Sequence, residues 1–298
     1  MLTDRDTTSD EHALRRPRVS VVIPTLHDRA EEVVESVRRQ TFKDVEIHIV
    51  PGVRPAARAR NIGVGETSGE FILFVDDDAR LGHDKVLETL MRVAEGAEDV
   101  GVVGPSKILS PEATRLQRRI AKEVPRWEFP VVTADMESNP PVDRYGYTGI
   151  TTTCCLIGRR IFEEIGGFDE RFTTGEDTEF FFQVRRAGYR FVVPADVWVY
   201  HNPPDRLPIF LRRMFVYGQN HAWEARKAPE RRMEVVPLRR WYGKVFAVIS
   251  PLLFVPSLFA NIYFEPNRHV EFGFRPIKAL STYATFFGYV WGRIRWKA

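Results

Sequence analysis

Residues 71–78 read Phe-Ile-Leu-Phe-Val-Asp-Asp-Asp. A strand half in water alternates apolar and polar residues, so five apolar residues in a row predict a strand covered on both faces. Three carboxylates then stop it. The flanking sequence repeats the rhythm of short apolar run, turn and helix. Val19 to Ile23 halts at Pro24, and residues 28–40 carry Val33, Val34 and Val37 at helical spacing. Residues 45–50 close on Pro51-Gly52, an Arg/Ala segment runs to Gly63, and residues 84–95 and 100–103 predict a helix and a strand. Alternation of this kind predicts an α/β fold, a mostly parallel twisted sheet flanked by helices, with ligands gathered beyond the carboxyl ends of the strands. Residues 25–28, 51–54 and 76–78 all fall at such ends.

Residues 110–147 are irregular and Pro-rich, and read as a loop on the acceptor side of a site. Order returns with a strand over 151–157, a helix over 159–165, a Gly-Gly turn, and a helix over 176–187 ended by Gly188. A final strand pair is predicted at 190–193 and 197–200. Adjacent Cys154 and Cys155 would need strained geometry to bridge, and read as buried thiols of a reducing compartment. Residues 1–17 are polar, lack an apolar secretory core and read as a disordered tail. That leaves a catalytic-type domain over 18–203 and an extension over 204–298.

The net charge of +3 conceals an asymmetry. Residues 204–298 hold 16 Lys and Arg against 6 Asp and Glu, a net +10 that leaves −7 for the rest. Residues 245–264 are 20 consecutive residues without a charge, about one bilayer crossing, but Pro251 and Pro256 interrupt them. A second apolar stretch, 279–291, is too short to span. A spanning helix, an in-plane or re-entrant hairpin and a buried helix pair all fit this pattern. Basic flanks at Arg239, Arg240, Lys244, Arg268, Arg275 and Lys278 favour an anionic membrane surface and a lipid phosphate over nucleic acid as partner.

Successive carboxylates at a strand end repel one another and raise each other's pKa, and a divalent cation removes that penalty. Hard oxygen ligands suit Mg²⁺ or Mn²⁺ shared with substrate phosphates. Alternation sends Asp76 and Asp78 to one side and Asp77 to the other. A second acidic pair, Glu176-Asp177, follows Gly175 at a helix start, where it serves equally as a cap or as a general base. His201, at the rim after the last strand, offers an imidazole to the same metal. Arg58 and Arg60 carry charge suited to a diphosphate, or form a solvated helix face.

These pieces together resemble the family 2 glycosyltransferases, inverting enzymes of the GT-A nucleotide-diphospho-sugar transferase fold. The resemblance spans about residues 18–203. It rests on Val-Ser-Val-Val-Ile-Pro-Thr at 19–25, Ala-Arg-Asn-Ile-Gly at 59–63, the run 69–78, and Gly-Gly-Phe-Asp-Glu at 166–170 followed by Gly175-Glu176-Asp177. It implies that Pro24 and Thr25 contact the nucleotide, and that Asp28, Arg60, Asn61, Asp76 and Asp77 line the donor. It also implies that Asp76, Asp78 and His201 hold Mg²⁺ or Mn²⁺. Asp177 is then the base, with Glu176 beside it. Members carry an acidic pair and a glycine after the second strand, where an aspartate reads the base. Pro51-Gly52-Val53-Arg54 stands there instead, so base reading falls to Asp28, to backbone or to a nucleotide other than a uridine one.

The implied reaction moves a sugar from a nucleotide-diphospho-sugar to an acceptor hydroxyl. The extension points to a glycan or lipid-linked acceptor at the cytoplasmic side of the cell membrane. A nucleotidyltransferase shares the sheet and the aspartates, but its usual Gly-rich phosphate loop is missing after Pro24. A non-catalytic adaptor is the other alternative.

Overall fold

In the computed structural model the described residues are 16–27, 29–143, 148–227, 241–263 and 269–295. The first half runs β1 (Val19–Thr25), α1 (Glu31–Arg38), β2 (Val45–Pro51), α2 (Ala56–Gly65), β3 (Phe71–Val75), β4 (Ala79–Leu81), α3 (Val86–Glu95), β5 (Val100–Val103) and β6 (Ser106–Ile108). It continues through α4 (Arg115–Glu123), a 3₁₀ turn at Pro125–Trp127, β7 (Met136–Glu137), β8 (Cys154–Gly158), α5 (Arg159–Ile165), α6 (Glu176–Arg186), β9 (Arg190–Val193) and β10 (Trp198–His201). The remaining elements are α7 (Leu207–Lys227), α8 (Trp241–Ile249), α9 (Phe254–Ser257), the hairpin β11 (Ala260–Tyr263) and β12 (His269–Phe272), and α10 (Pro276–Arg295).

Seven strands form the main sheet in the order β2-β1-β3-β8-β5-β9-β7. Five run one way, and only β8 and β7 oppose them. The continuous apolar runs behave as their lack of alternation requires. Val19, Val21, Ile23, Leu73 and Val75 face α1 and α3, while Val22, Ile72 and Phe74 face α2 and the rings of Phe162, Phe168 and Phe180. Fully burying each of these side chains stabilises the fold by about 1.5–3 kcal/mol. Gly166 and Gly167, both at positive φ, turn the chain after α5. Cys154 and Cys155 are buried and free, as expected.

The strand pair expected at 190–193 and 197–200 does not form. β9 joins the main sheet, whereas β10 sits between β4 and β6 in a separate three-stranded sheet. Two separately buried surfaces compete for these strands, and a local pattern cannot say which wins. The described residues of the segment 110–147 are also more ordered than its prolines suggest. Thr114 and Gln117 make a reciprocal capping box that starts α4.

Helix α7 packs on that segment, with Phe210 and Met214 meeting Ile120, Val124 and Trp127. Glu123 accepts hydrogen bonds from the backbone N–H groups of Ile277 (2.7 Å) and Lys278 (3.1 Å), so a carboxylate from α4 caps α10. α7 and α10 lie in contact at Gly218 and Gly288. A Cβ at Gly218 would overlap the Thr285 carbonyl, and one at Gly288 would overlap that of Phe215. The apolar run 245–264 is broken at its prolines into short helices, and the described part of it is largely exposed rather than a buried pair. No helix among the described residues is long and apolar enough to cross a membrane.

Helix propensity alone would make Gly218→Ala and Gly288→Ala stabilising by about 0.5–1 kcal/mol. The backbone overlap reverses the sign, and each should lower stability by about 1–3 kcal/mol, read from denaturant midpoints.

Candidate active site

The apolar strand β3 ends where Asp76 donates its backbone N–H to the Thr153 carbonyl (3.0 Å), and a turn returns the Ala79 N–H to the Asp76 carbonyl (3.1 Å). The next three residues form β4, which pairs antiparallel with β10 so that Ala79 lies opposite His201. That register brings the His201 Nε2 to 3.4 Å from an Asp78 carboxylate oxygen. One ligand atom each from Asp76, Asp78 and His201 lie within 4.8 Å of one another, within reach of a single divalent ion. Two carboxylates and an imidazole are the hard and borderline donors that suit Mg²⁺ or Mn²⁺. His201 is buried, stacked on Trp127 with ring centroids 6.0 Å apart, while Asp78 is exposed. Partial desolvation by the surrounding protein raises the pKa of the Asp78 carboxyl, but the hydrogen bond and charge of His201, with the charge of Arg213, outweigh it and hold the group below its ordinary range.

Asp77 points away from this trio. Burial, with repulsion from Asp78 and Asp76, raises its pKa against the opposing influence of the nearby Thr25 side chain. Thr25, buried at the end of β1, and the half-buried Pro24 form the adjacent wall. Asp28 lies outside the described residues.

Arg60 is buried and Arg58 is exposed, so the two arginines of α2 have different environments. The Arg60 guanidinium donates to Asp76 Oδ1 (2.9 Å) and Glu176 Oε1 (2.6 Å) and lies over the Phe168 ring. Burial lowers its pKa, but Asp76, Glu176 and Asp177 more than offset this, keeping it firmly charged. Glu176 itself is driven up, first by burial and then by Asp177, with Arg60 opposing. Neighbouring Asp177 is half-buried at the start of α6, accepting from the Thr178 N–H (2.8 Å). Asn61 has a different setting. Its amide donates to the Phe168 carbonyl (2.8 Å) and accepts from the Phe168 N–H (2.9 Å), fixing the turn before α6.

Four further residues at the site were not singled out from the sequence: Lys107, Arg126, Trp127 and Arg213. Lys107, in β6, is buried; burial and Arg126 pull its ammonium down to about 8 against the pull of Asp76 and Asp177. A lysine inside the short run Ser-Lys-Ile-Leu was the available signal. α7 also reaches the site, since Thr173 donates to Asn220 Oδ1 (2.9 Å) and Trp223 meets Phe172 edge-on, bracing the loop before Glu176.

Because Arg60 satisfies two carboxylates at once, Arg60→Met leaves buried Glu176 without its partner. The loss should be about 3–5 kcal/mol, measured by chemical denaturation, and Arg60→Lys should recover only part of it.

The chain is similar to known proteins in sequence and in fold. The chain is 30% identical over 156 residues to the O-antigen biosynthesis protein RfbC of Myxococcus xanthus, covering 48% of this chain and 12% of that one. It is 27% identical over 218 residues to the succinoglycan biosynthesis protein ExoM of Rhizobium meliloti, covering 69% of this chain and 64% of that one. It therefore spans less than two thirds of either relative. Its fold is similar to the mannosyltransferase PcManGT from Pyrobaculum calidifontis, solved in complex with GDP-Man and Mn²⁺, with a TM-score of 0.56 and 16% identity over 93% of this chain and 88% of that one. A family model described as "Glycosyltransferase like family 2" matches residues 11–217, and with the sheet and acidic site described above the chain belongs to the family 2 glycosyltransferases.

Proposed function

We propose that the protein is an inverting glycosyltransferase that moves a sugar from a nucleotide-diphospho-sugar to the hydroxyl of a lipid-linked or cell-envelope glycan. The observation that carries this reading is the single charged rim on which Asp76, Asp78 and His201 converge, joined through Arg60 to Glu176-Asp177. Bound at the trio, Mg²⁺ or Mn²⁺ would neutralise charge on the departing diphosphate. Asp177 takes the proton of the acceptor hydroxyl, which attacks the anomeric carbon from the side opposite the leaving group and inverts it. Glu176 is occupied by Arg60, which leaves Asp177 as the member of the pair open to an acceptor. Pro24, Thr25 and Asp77 border the nucleotide. The Mn²⁺ and GDP-Man of the similar mannosyltransferase, and the polysaccharide pathways named for RfbC and ExoM, support this donor and acceptor chemistry.

The same reading puts the C-terminal segment on the cytoplasmic surface of the cell membrane. Among the described residues, 14 of the 19 large exposed apolar side chains fall between Trp241 and Ile294. Trp241, Val248, Leu252 and Phe272 are each more than three-quarters exposed. Exposed apolar side chains interspersed along the chain with Lys244 and Arg275 suit insertion about 5–10 Å into an anionic interface.

Asp177→Asn should lower transfer about 10²–10⁴-fold while leaving donor affinity within a factor of about two. Near-normal turnover by that variant would sink the assignment. Calorimetry of a panel of nucleotide-sugars with and without Mn²⁺ should show metal-dependent binding by the wild type that Asp78→Ala abolishes. On flotation, the full chain should rise with phosphatidylglycerol vesicles, and a Leu252→Glu, Phe272→Glu double variant should stay in the soluble fraction. A wild type that ignores the vesicles defeats the membrane reading.

A further inference from the structure

We infer that α7 is the positioning element for the proposed base: Asn220, Trp223 and Glu224 hold the loop 172–175 and, through it, Asp177. The inference rests on the glycosyl-transfer reading and names residues that set the geometry of its proton transfer.

Positions 220, 223 and 224 are spaced i, i+3 and i+4, so they share one face of α7. Each meets a different residue of the loop. The Thr173 hydroxyl donates to Asn220 Oδ1 at 2.9 Å. Phe172 lies edge-on to Trp223, with ring centroids 4.6 Å apart and planes at 77°. Gly175 lies against Glu224, since a Cβ built on it would stand 2.7 Å from Glu224 Oε1. Its φ of +81° disfavours a side chain as well, so conformation and space both call for glycine there. Contacts at 172, 173 and 175 leave the loop little freedom to shift on the helix.

The Glu224 side chain is only 4% exposed, with one oxygen 3.5 Å from His221 Nδ1. Gly175 is the N-cap of α6, so this buried carboxylate stands at the helix end where backbone N–H groups and the dipole favour negative charge. Asp177 is the second residue of the same helix, and Arg60 holds Glu176, the first. The base is thus placed by contacts to the two residues before it, and these contacts leave its own carboxylate unused. The matched family region ends at residue 217, so Asn220, Trp223 and Glu224 belong to the part of the chain beyond it. A base must come within about 2.6–3.2 Å of the proton it takes, and a displacement of about 1 Å can cost about 10²-fold in rate. A helix outside the matched region therefore sets the efficiency of the reaction without touching the donor.

The test uses the full chain and reads nucleoside diphosphate released from GDP-mannose, UDP-glucose and UDP-N-acetylglucosamine, each with Mn²⁺ and a bacterial membrane extract as acceptor. Thr173 is exposed, so Thr173→Val removes the hydroxyl without disturbing the core and should keep the wild-type melting temperature. It should lower kcat about tenfold, leave donor KM within about twofold, and raise amide hydrogen exchange across residues 172–179 about tenfold. Thr173→Ser, which keeps the donating hydroxyl, should recover most of the rate. Asn220→Ala should act like Thr173→Val, and the exposed Thr173 variant carries the test if the buried Asn220 variant is unstable. Added to Asp177→Asn, Thr173→Val should slow release no further, because the hydroxyl acts through Asp177. Unchanged exchange or unchanged kcat in Thr173→Val overturns the inference. So does a parallel loss of donor affinity, which would give the loop to the donor, or a full tenfold further loss in the Asp177→Asn background. No release by the wild type from any of the donors, or near-normal release by Asp177→Asn, fails the underlying reading of transfer and base instead. The exchange measurement needs no donor, so it decides whether α7 holds the loop in either case.

Discussion

One buried guanidinium ties this site together. Arg60 joins the carboxylate that ends β3 to the carboxylate that opens α6, two elements a hundred residues apart in the chain. Neither acid could be withdrawn from water alone, and a single unpaired arginine would be equally costly there. Paired, they fix the distance between the proposed metal side and the proposed base side. The pairing also divides labour between the two acids. Glu176 is buried against Arg60, whereas Asp76 meets Arg60 and still offers a ligand atom to the trio with Asp78 and His201.

The second sheet does the complementary work. β10 does not continue the main sheet but pairs with β4, and this antiparallel register carries His201 to the Asp78 carboxylate. On its other edge, β6 brings Lys107 to the same face. A strand of four residues therefore decides which side chains meet at the rim. Trp127, stacked on His201 and covered by Arg213, holds the imidazole from behind.

The C-terminal helices are coupled to this centre rather than appended to it. α7 braces the loop before Glu176 through Asn220 and Trp223, and α10 is capped by Glu123 from α4. Close contact of α7 and α10 at Gly218 and Gly288 makes them one unit. Exposed apolar residues concentrate between Trp241 and Phe274, the segment that joins these two helices.

The uninterrupted apolar runs at 19–23 and 71–75, and the acidic, glycine and arginine motifs between 59 and 177, were legible from local chemistry. A strand without polar residues has nowhere to go but the middle of a covered sheet, and three carboxylates at its end have to be exposed or compensated. Helix α4 went unread, because the prolines around it concealed the capping signal of Thr114 and Gln117. What local chemistry could not show was the partner of each group. Arg60 reads equally well as a solvated cation or a buried clamp, Asn61 as a ligand-binding amide or a turn lock, and Lys107 as an unremarkable strand lysine. Only the tertiary structure assigns them, because charges and hydrogen-bond donors acquire their meaning from what lies within a few ångströms, and those neighbours come from remote segments. The sequence by itself determined the sheet, the acidic ends and the family. The fold decided the second sheet and the pairing through Arg60, since strand pairing and burial are settled by competition among all surfaces at once.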